Sequence, residues 1–467
     1  MSRQHGDMPS ASQFFPPVDG LADAGGPSFT GNWKQVTPSS APVLFAGTSS
    51  QVDYLLPPEF GKCTDFLLHF PSITVVNSSA VQTGVLAPTP YWVNSIEHWI
   101  GGDSKETVTS HGLFAESVTF QTDQEYDQIY SNLSMNSASK TVSSVTGASI
   151  AIYNTITGPA NASTVVSNVE NGNNGYWLPI TGLFSSIQPF VAGFTETLKL
   201  RVNFAGSINP TVGWSSLANA QTALTNFANG TLGSGTLAAG GGTTGVGAST
   251  LKLTCPSQVN LWVKEASLPP KIHESLVKLH KSGVQYRGLR RVTWSGQAFS
   301  APTTVASQIT RDDQLTSITG NSAALYFYLK PDTQTIEDSL LRLPISIGTV
   351  KDSSKNSLSP AMPAALIENW VSPSATPLSS YFVNCPTFTS YIFPFSSSLM
   401  RSNFGKKLGG KQLGGHEYVS YTPTILTYSG SATIAPTTVT PNVISYDYVR
   451  VIVKDGKAVL DREGEDA

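Results

Sequence analysis

The sequence is poor in charge. Lys, Arg, Asp and Glu make up 13% of its 467 residues, against roughly 25% in an ordinary soluble domain, which argues against long salt-bridged helices and coiled coils. Cysteine is scarcer still. Cys63, Cys255 and Cys385 are odd in number and far apart, so neither a disulfide framework nor a zinc knuckle is encoded, and all three read as thiols packed in sheets. No run approaches the ~18 apolar residues that cross a bilayer. The start MSRQHGDMPSASQFFPP has no apolar signal core, so a protein made and kept in the cytosol is expected. A net charge of −3 gives nucleic acid no general electrostatic grip, and no sequence-specific binding to it is expected.

Turn-forming and aromatic residues are plentiful: 40 glycines, 30 prolines, and 10% Phe, Trp and Tyr. That composition suits sheets joined by many turns. At ~150 residues per domain the length gives about three units, but β barrels run to ~200–250 residues as one, so two large β domains fit as well. Charge is divided unevenly. Residues 1–266 hold 9 Lys/Arg and 16 Asp/Glu, whereas 267–467 hold 19 and 15. This fits two domains with different neighbours, or simply different solvated faces.

Along the chain, residues 1–40 contain Phe14-Phe15-Pro16-Pro17 and no sustained periodicity, and read as an extended arm. In CTDFLLHF, Phe66, Leu68 and Phe70 share one face and Asp65 and His69 the other, as in a half-buried strand. YWVNSIEHWIGGD places Trp92, Asn94, Ile96 and His98 on one face and Val93, Ser95, Glu97 and Trp99 on the other, and stops at Gly101-Gly102. Tyr126, Ile129, Tyr130 and Leu133 recur at helical steps and favour a short helix. TETLKLRVNF gives the strongest strand signal, with Leu198, Leu200, Val202 and Phe204 alternating with polar residues. The glycine-rich loop at 229–249 follows, long enough to be functional or mobile. LPPKIHESLVKLHKSG then breaks the β pattern: Ile272, Leu276 and Leu279 are helically spaced, prolines open the segment and Gly283 closes it. A second set of strand-like segments follows, ending in SYDYVRVIVKDGKAVL, where Asp455-Gly456 suits a two-residue hairpin. Strands, one helix and strands again imply an all-β chain of two sandwiches.

Motifs that would carry chemistry fail on inspection. His273-Glu274 opens a zinc-protease pattern, but Val277 stands where the second histidine is required. Gly240, Gly242 and Gly245 match a dinucleotide fingerprint without a following helix. Gly242 and Gly247 have phosphate-loop spacing, but Ala248 replaces the lysine. Asp123, Glu125 and Asp127 lack the glycine turn and later carboxylate of a hard-cation loop, and Arg311-Asp312-Asp313 reads as a turn. His273 and His280 read as surface residues. No GxSxG elbow occurs. The expectation is therefore a non-enzyme with no catalytic, cofactor-binding or metal-ligating residues. Two basic groups, Lys271, Lys278, Lys281, Arg287, Arg290 and Arg291 around the helix and Lys406, Lys407 and Lys411 beyond it, are either solvated faces or contacts for an acidic partner, phosphate or lipid headgroup. The sequons at Asn77, Asn132, Asn161 and Asn229 imply no attachment without a secretory signal.

Four segments, in this order, resemble the double jelly-roll major capsid proteins of large eukaryotic DNA viruses, virophages, polinton-like viruses and tailless phages: YWVNSIEHWIGG, GYWLPITGLFSSIQPFVAGFTETLKLRVNF, VNLWVKEASLPPKIHESLVKLHKSGVQY and SYDYVRVIVKDGKAVL. The resemblance spans roughly residues 45–460. It implies two consecutive eight-stranded jelly-roll sandwiches with long loops and a short linker helix. The divisions are an arm at 1–40, a first roll at 41–267, a linker helix at 268–284, a second roll at 285–460 and an acidic tail at 461–467. It further implies a structural protein whose homotrimers form six-sided capsomers that tile an icosahedral virion. The partners implied are neighbouring capsomers, penton and minor capsid proteins and, where one lies beneath the shell, a membrane. A viral spike or carbohydrate-binding adhesin is the alternative, with Trp92, Trp177 or Trp214 exposed to stack on sugars. A polysaccharide-active β-sandwich enzyme is a third, weaker one.

Overall fold

Strands form where the sequence alternates, and the alternation decides which side of each strand turns inward. The computed structural model describes residues 30–40, 50–70, 73–77, 83–85, 89–113, 141–142, 149–150, 155–157, 163–166, 176–205, 213–214, 245–246, 251–254, 258–302, 304–331, 343, 345–358, 361–364, 391–396, 409–424 and 438–462. The helix expected over Tyr126–Leu133, the acidic trio at 123–127, Cys255, Cys385, Lys406, Lys407, most of the 229–249 loop and the end of the tail lie outside these.

The first sandwich has eight strands: β1 (Thr30–Val36), β2 (Ser50–Leu55), β3 (Lys62–Phe70), β4 (Val93–Ile100), β5 (Asp103–Thr109), β6 (Tyr176–Pro179), β7 (Leu198–Phe204) and β8 (Asn260–Ser267). They form two antiparallel sheets, ordered β1-β8-β3-β6 and β2-β7-β4-β5. Helix α1 (Leu183–Ile187) lies between β6 and β7, and α2 (Pro270–Ser282) follows β8. The second sandwich has β9 (Val284–Ser295), β10 (Arg311–Gln314), β11 (Thr319–Pro331), β12 (Ile345–Lys351), β13 (Met362–Pro363), β14 (Tyr391–Pro394), β15 (Tyr418–Pro423) and β16 (Thr438–Lys454). Its sheets are ordered β9-β16-β11-β14 and β10-β15-β12-β13. Adding eight to each strand label of the first sandwich gives the second, so both halves are wound alike. Each is a jelly roll: two facing four-stranded sheets whose neighbours are mostly non-consecutive in the chain.

Between the sheets of the first roll lie Val52 and Tyr54, Phe66, Leu68 and Phe70, Ile96 and Ile100, Leu198, Leu200, Val202 and Phe204, and Leu261 and Val263, all at most 2% exposed. Each large apolar side chain so buried contributes roughly 1.5–3 kcal/mol. Trp92 plugs one end, edge-on to Phe70 at 5.1 Å and to Tyr176 at 5.2 Å. The registers bring Phe70, Val93, Thr109, Tyr176, Phe204 and Asn260 to this same end. The connections over 37–49, 71–92, 110–175 and 205–259 therefore leave from this end of the roll. Short backbone ladders there pair Ile73–Asn77 with Ser163–Val166 and Leu251–Thr254, and Thr83–Val85 with Thr155–Thr157 and Gly213–Trp214. The opposite end has the short connections 56–61 and 101–102 and the longer 180–197, which carries α1, and α2 follows β8 there.

Several sequence expectations need correction. Residues 30–36, read as part of the arm, pair along their whole length with Leu261–Ser267. As an edge strand β1 buries Val36 but leaves Trp33 45% exposed, so it lacks the alternation that would announce it. The faces of β4 were misjudged because one extra residue, Asn94, is accommodated opposite the Asn203/Phe204 step. Val93, Ile96, His98 and Ile100 point inward, and Asn94 is exposed. Such a bulge shifts the face on which the preceding residues fall. Arg311-Asp312-Asp313 is strand, not turn, because its charges are met across the sheet: Asp312 by Lys351 at 2.9 Å and Asp313 by the Tyr421 hydroxyl at 2.6 Å. The hairpin at Asp455-Gly456 is as expected, with both φ values positive (53° and 74°), and its second strand β17 (Lys457–Arg462) runs into the segment read as tail.

Candidate functional site

In a protein built as two sandwiches, the functional geometry is where one meets the other. The sheet β9-β16-β11-β14 is buried on both sides. Its inner face carries Tyr286, Leu325, Phe327, Leu329, Val443 and Val451, and its outer face Leu289, Ala324, Tyr326, Tyr328, Ile392, Ile444, Tyr446 and Tyr448, at most 6% exposed. The first roll meets this outer face with the edge strand β5, residues 110–113 and α1. The His111 ring lies 5.5 Å from that of Tyr328, and a side chain at Gly112 would touch both Val108 and Ile444.

At the centre of the contact sits a buried ion pair. Arg291 Nη1 of β9 is 3.6 Å from Glu106 Oε1 of β5, both side chains at most 1% exposed. Glu106 also accepts the backbone N–H of Arg291 at 2.5 Å and that of Leu183, the first residue of α1. Arg291 donates from Nη1 to the Leu289 carbonyl at 2.8 Å and lies over the Tyr446 ring. Burial raises the Glu106 pKa, while Arg291 and the two N–H groups oppose that rise. Beside it His98 is placed by two hydrogen bonds that assign one tautomer: Nδ1 accepts from the Phe184 N–H at 3.3 Å and Nε2 donates to the Thr181 carbonyl at 3.2 Å. Gly182 packs so closely that a Cβ would run into His98 and Glu106, and its φ of 132° is closed to other residues.

A second seam runs through α2. His280 donates from Nδ1 to the Leu276 carbonyl at 2.7 Å, which leaves Nε2 to accept from the Tyr286 hydroxyl at 2.6 Å; that hydroxyl accepts the Phe190 N–H at 3.1 Å. Burial lowers the His280 pKa and raises that of Tyr286. His280, read from sequence as a surface residue, is 2% exposed. Further along, the Leu289 N–H donates to Ser186 Oγ at 2.6 Å, the Thr195 N–H to the Gly456 carbonyl at 2.9 Å and the Ala458 N–H to Glu196 at 2.8 Å. Residues 182–196 of the first roll thus grip α2, β9 and the final hairpin. The segment that follows Leu178-Pro179 is the clasp between the rolls.

No protein-family model matches the chain, and no curated protein matches it. Solved structures do. PBCV-1 VP54, as fitted into a reconstruction of the virophage Sputnik, superposes with a TM-score of 0.60 at 11% identity, covering 93% of this chain and 97% of that one. The Sputnik virophage structure gives 0.56 at 11% identity over 93% and 89%, and the Faustovirus major capsid protein 0.55 at 10% over 92% and 91%. This is the double jelly-roll fold of viral major capsid proteins. At such identity the likeness is one of fold.

Within this double jelly roll the singled-out residues separate. Lys271, Lys278, Lys281, Arg287 and Lys411 are exposed, whereas Arg291 is the buried partner of Glu106. Cys63 is a buried thiol whose pKa burial pushes up. Trp92, offered as a sugar platform, is wholly buried, and Trp177 stacks on His69 at 4.0 Å. Among the described residues no three His, Cys, Asp or Glu side chains gather to hold a metal. Sequence reading missed Glu106 and His98 as junction residues. The available signal was a charged residue alternating into the apolar face of a strand, which only a buried partner accounts for.

Proposed function

We propose that this chain is a virion structural protein: a major capsid protein whose homotrimers form pseudo-hexagonal capsomers that tile an icosahedral shell. It performs no catalysis and holds no cofactor. The observation that carries the reading is the end-to-end likeness of the two rolls, in one chain and in the same order, to capsid proteins of matching length. Two like-wound rolls side by side give six rolls from three chains, a shape that closes by rotation and packs in a plane. The buried junction supports it, because a tile must be rigid. In this reading the divisions are the arm, a roll to residue 267, the linker helix, a roll to residue 460 and the tail, adjusted for β1 and β17. The loops that leave the end marked by Trp92, including 229–249, form the outer crown. Penton and minor capsid proteins, and a membrane where one is present, are its further neighbours, and assembly follows synthesis in the host cytosol.

The test is native mass with electron imaging of the purified full chain. The expected result is a particle of three times 49.6 kDa with a six-sided outline. A monomer at every concentration and salt overturns the reading.

A further inference from the structure

Two histidines are buried in the junction, and the clasp is seated on both. Residues 180–196 begin against His98 of β4 and end against His280 of α2, rings 0% and 2% exposed. A glycine admits each ring: a Cβ at Gly182 would run into His98, and one at Gly193 into His280. Each imidazole is also needed as an acceptor. At His98 the Thr181 carbonyl takes the Nε2 proton, so Nδ1 must accept the Phe184 N–H. At His280 the Leu276 carbonyl takes the Nδ1 proton, so Nε2 must accept from the Tyr286 hydroxyl, itself the acceptor of the Phe190 N–H. A second proton on either ring turns that acceptor into a donor facing a donor. The Phe184 N–H lies in the first turn of α1 and cannot swing aside without unwinding it, and Tyr286, 1% exposed, is shut off from solvent.

We infer that residues 180–196 are an acid-operated latch between the rolls. A proton on His98 or His280 releases one end of the segment, and with both taken up the first roll loses its grip on α2, β9 and the final hairpin while each sandwich keeps its own core. The groups around each ring set the direction. About His98 stand Glu106 of β5 and, beyond it, Arg291 and Arg290 of β9; α1 brings apolar and hydroxyl side chains, and β7 sets Leu200 opposite. About His280 stand Tyr286 of β9 and, across the Phe190 ring, His273 of the same helix. Lys62 and Cys63 of β3 pair there with Phe190 and Pro189, Glu265 of β8 lies beyond Cys63, and Asp455 reaches the helix through its backbone N–H, which donates to the Lys281 carbonyl. Burial holds the His280 pKa below the ordinary 6.5, so the open segment binds the proton better than the closed one, and opening gains as pH falls below that value. Glu106 has the opposite sign. Its folded pKa is raised, so the closed state is there the better proton binder, and acid acting through Glu106 holds the latch shut. The inference goes beyond the capsomer reading and does not rest on it; in a shell, the same opening loosens each tile between its rolls on acidification.

The test is hydrogen exchange of the full chain read by mass spectrometry at about pH 7.5 and about pH 5, each rate divided by that of the unstructured peptide at the same pH. The core strand Leu198–Phe204 is the internal reference. A free imidazole of pKa ~6.5 permits up to about thirtyfold easier opening per histidine over this interval. The expected result is a gain of about tenfold or more over 182–196, with less than about twofold over Leu198–Phe204. In the variant His98→Gln/His280→Gln the gain disappears, because glutamine offers one acceptor and one donor and takes up no proton. A parent equally protected over 182–196 at both pH values overturns the inference, and so does a variant that keeps the parent's gain. Should the variant lose the parent's circular dichroism, the pH profile of the unmodified chain decides. A gain that sets in near pH ~6.5 upholds the latch, and one that sets in only below about pH 4.5, where carboxylates titrate, overturns it. These outcomes are read independently of oligomeric mass, so failure of the latch leaves the capsomer reading standing, and the reverse.

Discussion

Replacing Arg291 with methionine leaves the Glu106 carboxylate inside the junction with only the N–H groups of Leu183 and Arg291 to hold it. An ion so enclosed has lost hydration that two hydrogen bonds do not restore, and breaking a buried pair from one side costs about 3–5 kcal/mol. That is a large part of the ~5–15 kcal/mol by which a typical protein is folded. Glu106→Gln alone leaves the Arg291 guanidinium buried, with a loss of similar size. The double variant Glu106→Gln/Arg291→Met leaves no charge to strand, and should return to within about 1–2 kcal/mol of the parent. The two positions are therefore coupled by about 4 kcal/mol or more in a mutant cycle. Urea unfolding followed by circular dichroism and by tryptophan fluorescence measures this, and it also locates the damage. Six of the eight tryptophans precede α2, so fluorescence reports the first roll while circular dichroism reports both. In the single variants the two probes should separate, because each roll keeps its own core while the contact between them weakens. Single losses that simply add in the double variant would refute the argument that the pair acts as a unit, and coincident probes would refute the placement of the damage at the junction.

Gly182→Ala forces a side chain into a left-handed φ and against His98 and Glu106; a loss of about 2–4 kcal/mol is expected from strain and overpacking together, and a calorimetric change under 1 kcal/mol would contradict it. His280 supplies a pH dependence. Its folded pKa is depressed below the ordinary 6.5 chiefly by burial, so the unfolded chain takes up a proton that the fold resists. Its contribution is fully present above pH 6.5 and is lost as pH falls through the folded value, at up to about 1.4 kcal/mol per pH unit. His280→Phe should flatten urea midpoints compared between neutral pH and about pH 5, and a variant that keeps the parent's slope shows that another group carries it.

What the sequence determined alone was local. The alternation in Leu198–Phe204 and in Phe66, Leu68 and Phe70 follows from the period of a strand with one wet side, and those faces were legible without coordinates. So were the proline-opened, glycine-closed helix at Pro270–Ser282 and the Asp455-Gly456 turn, because backbone stereochemistry limits which residues such ends and turns accept. Likeness to capsid proteins was visible in the order of such segments. The tertiary structure decided whatever depends on a partner distant in the chain. β1 is a strand because β8 lies beside it, and Arg311–Gln314 is a strand because Lys351 and Tyr421 answer its charges. Glu106 and His98 read as strand residues on any surface until Arg291, 185 positions away, and the start of α1 close over them. The winding that makes the second roll a copy of the first also lies in pairings between remote strands, because a ladder forms only where two distant segments are brought side by side.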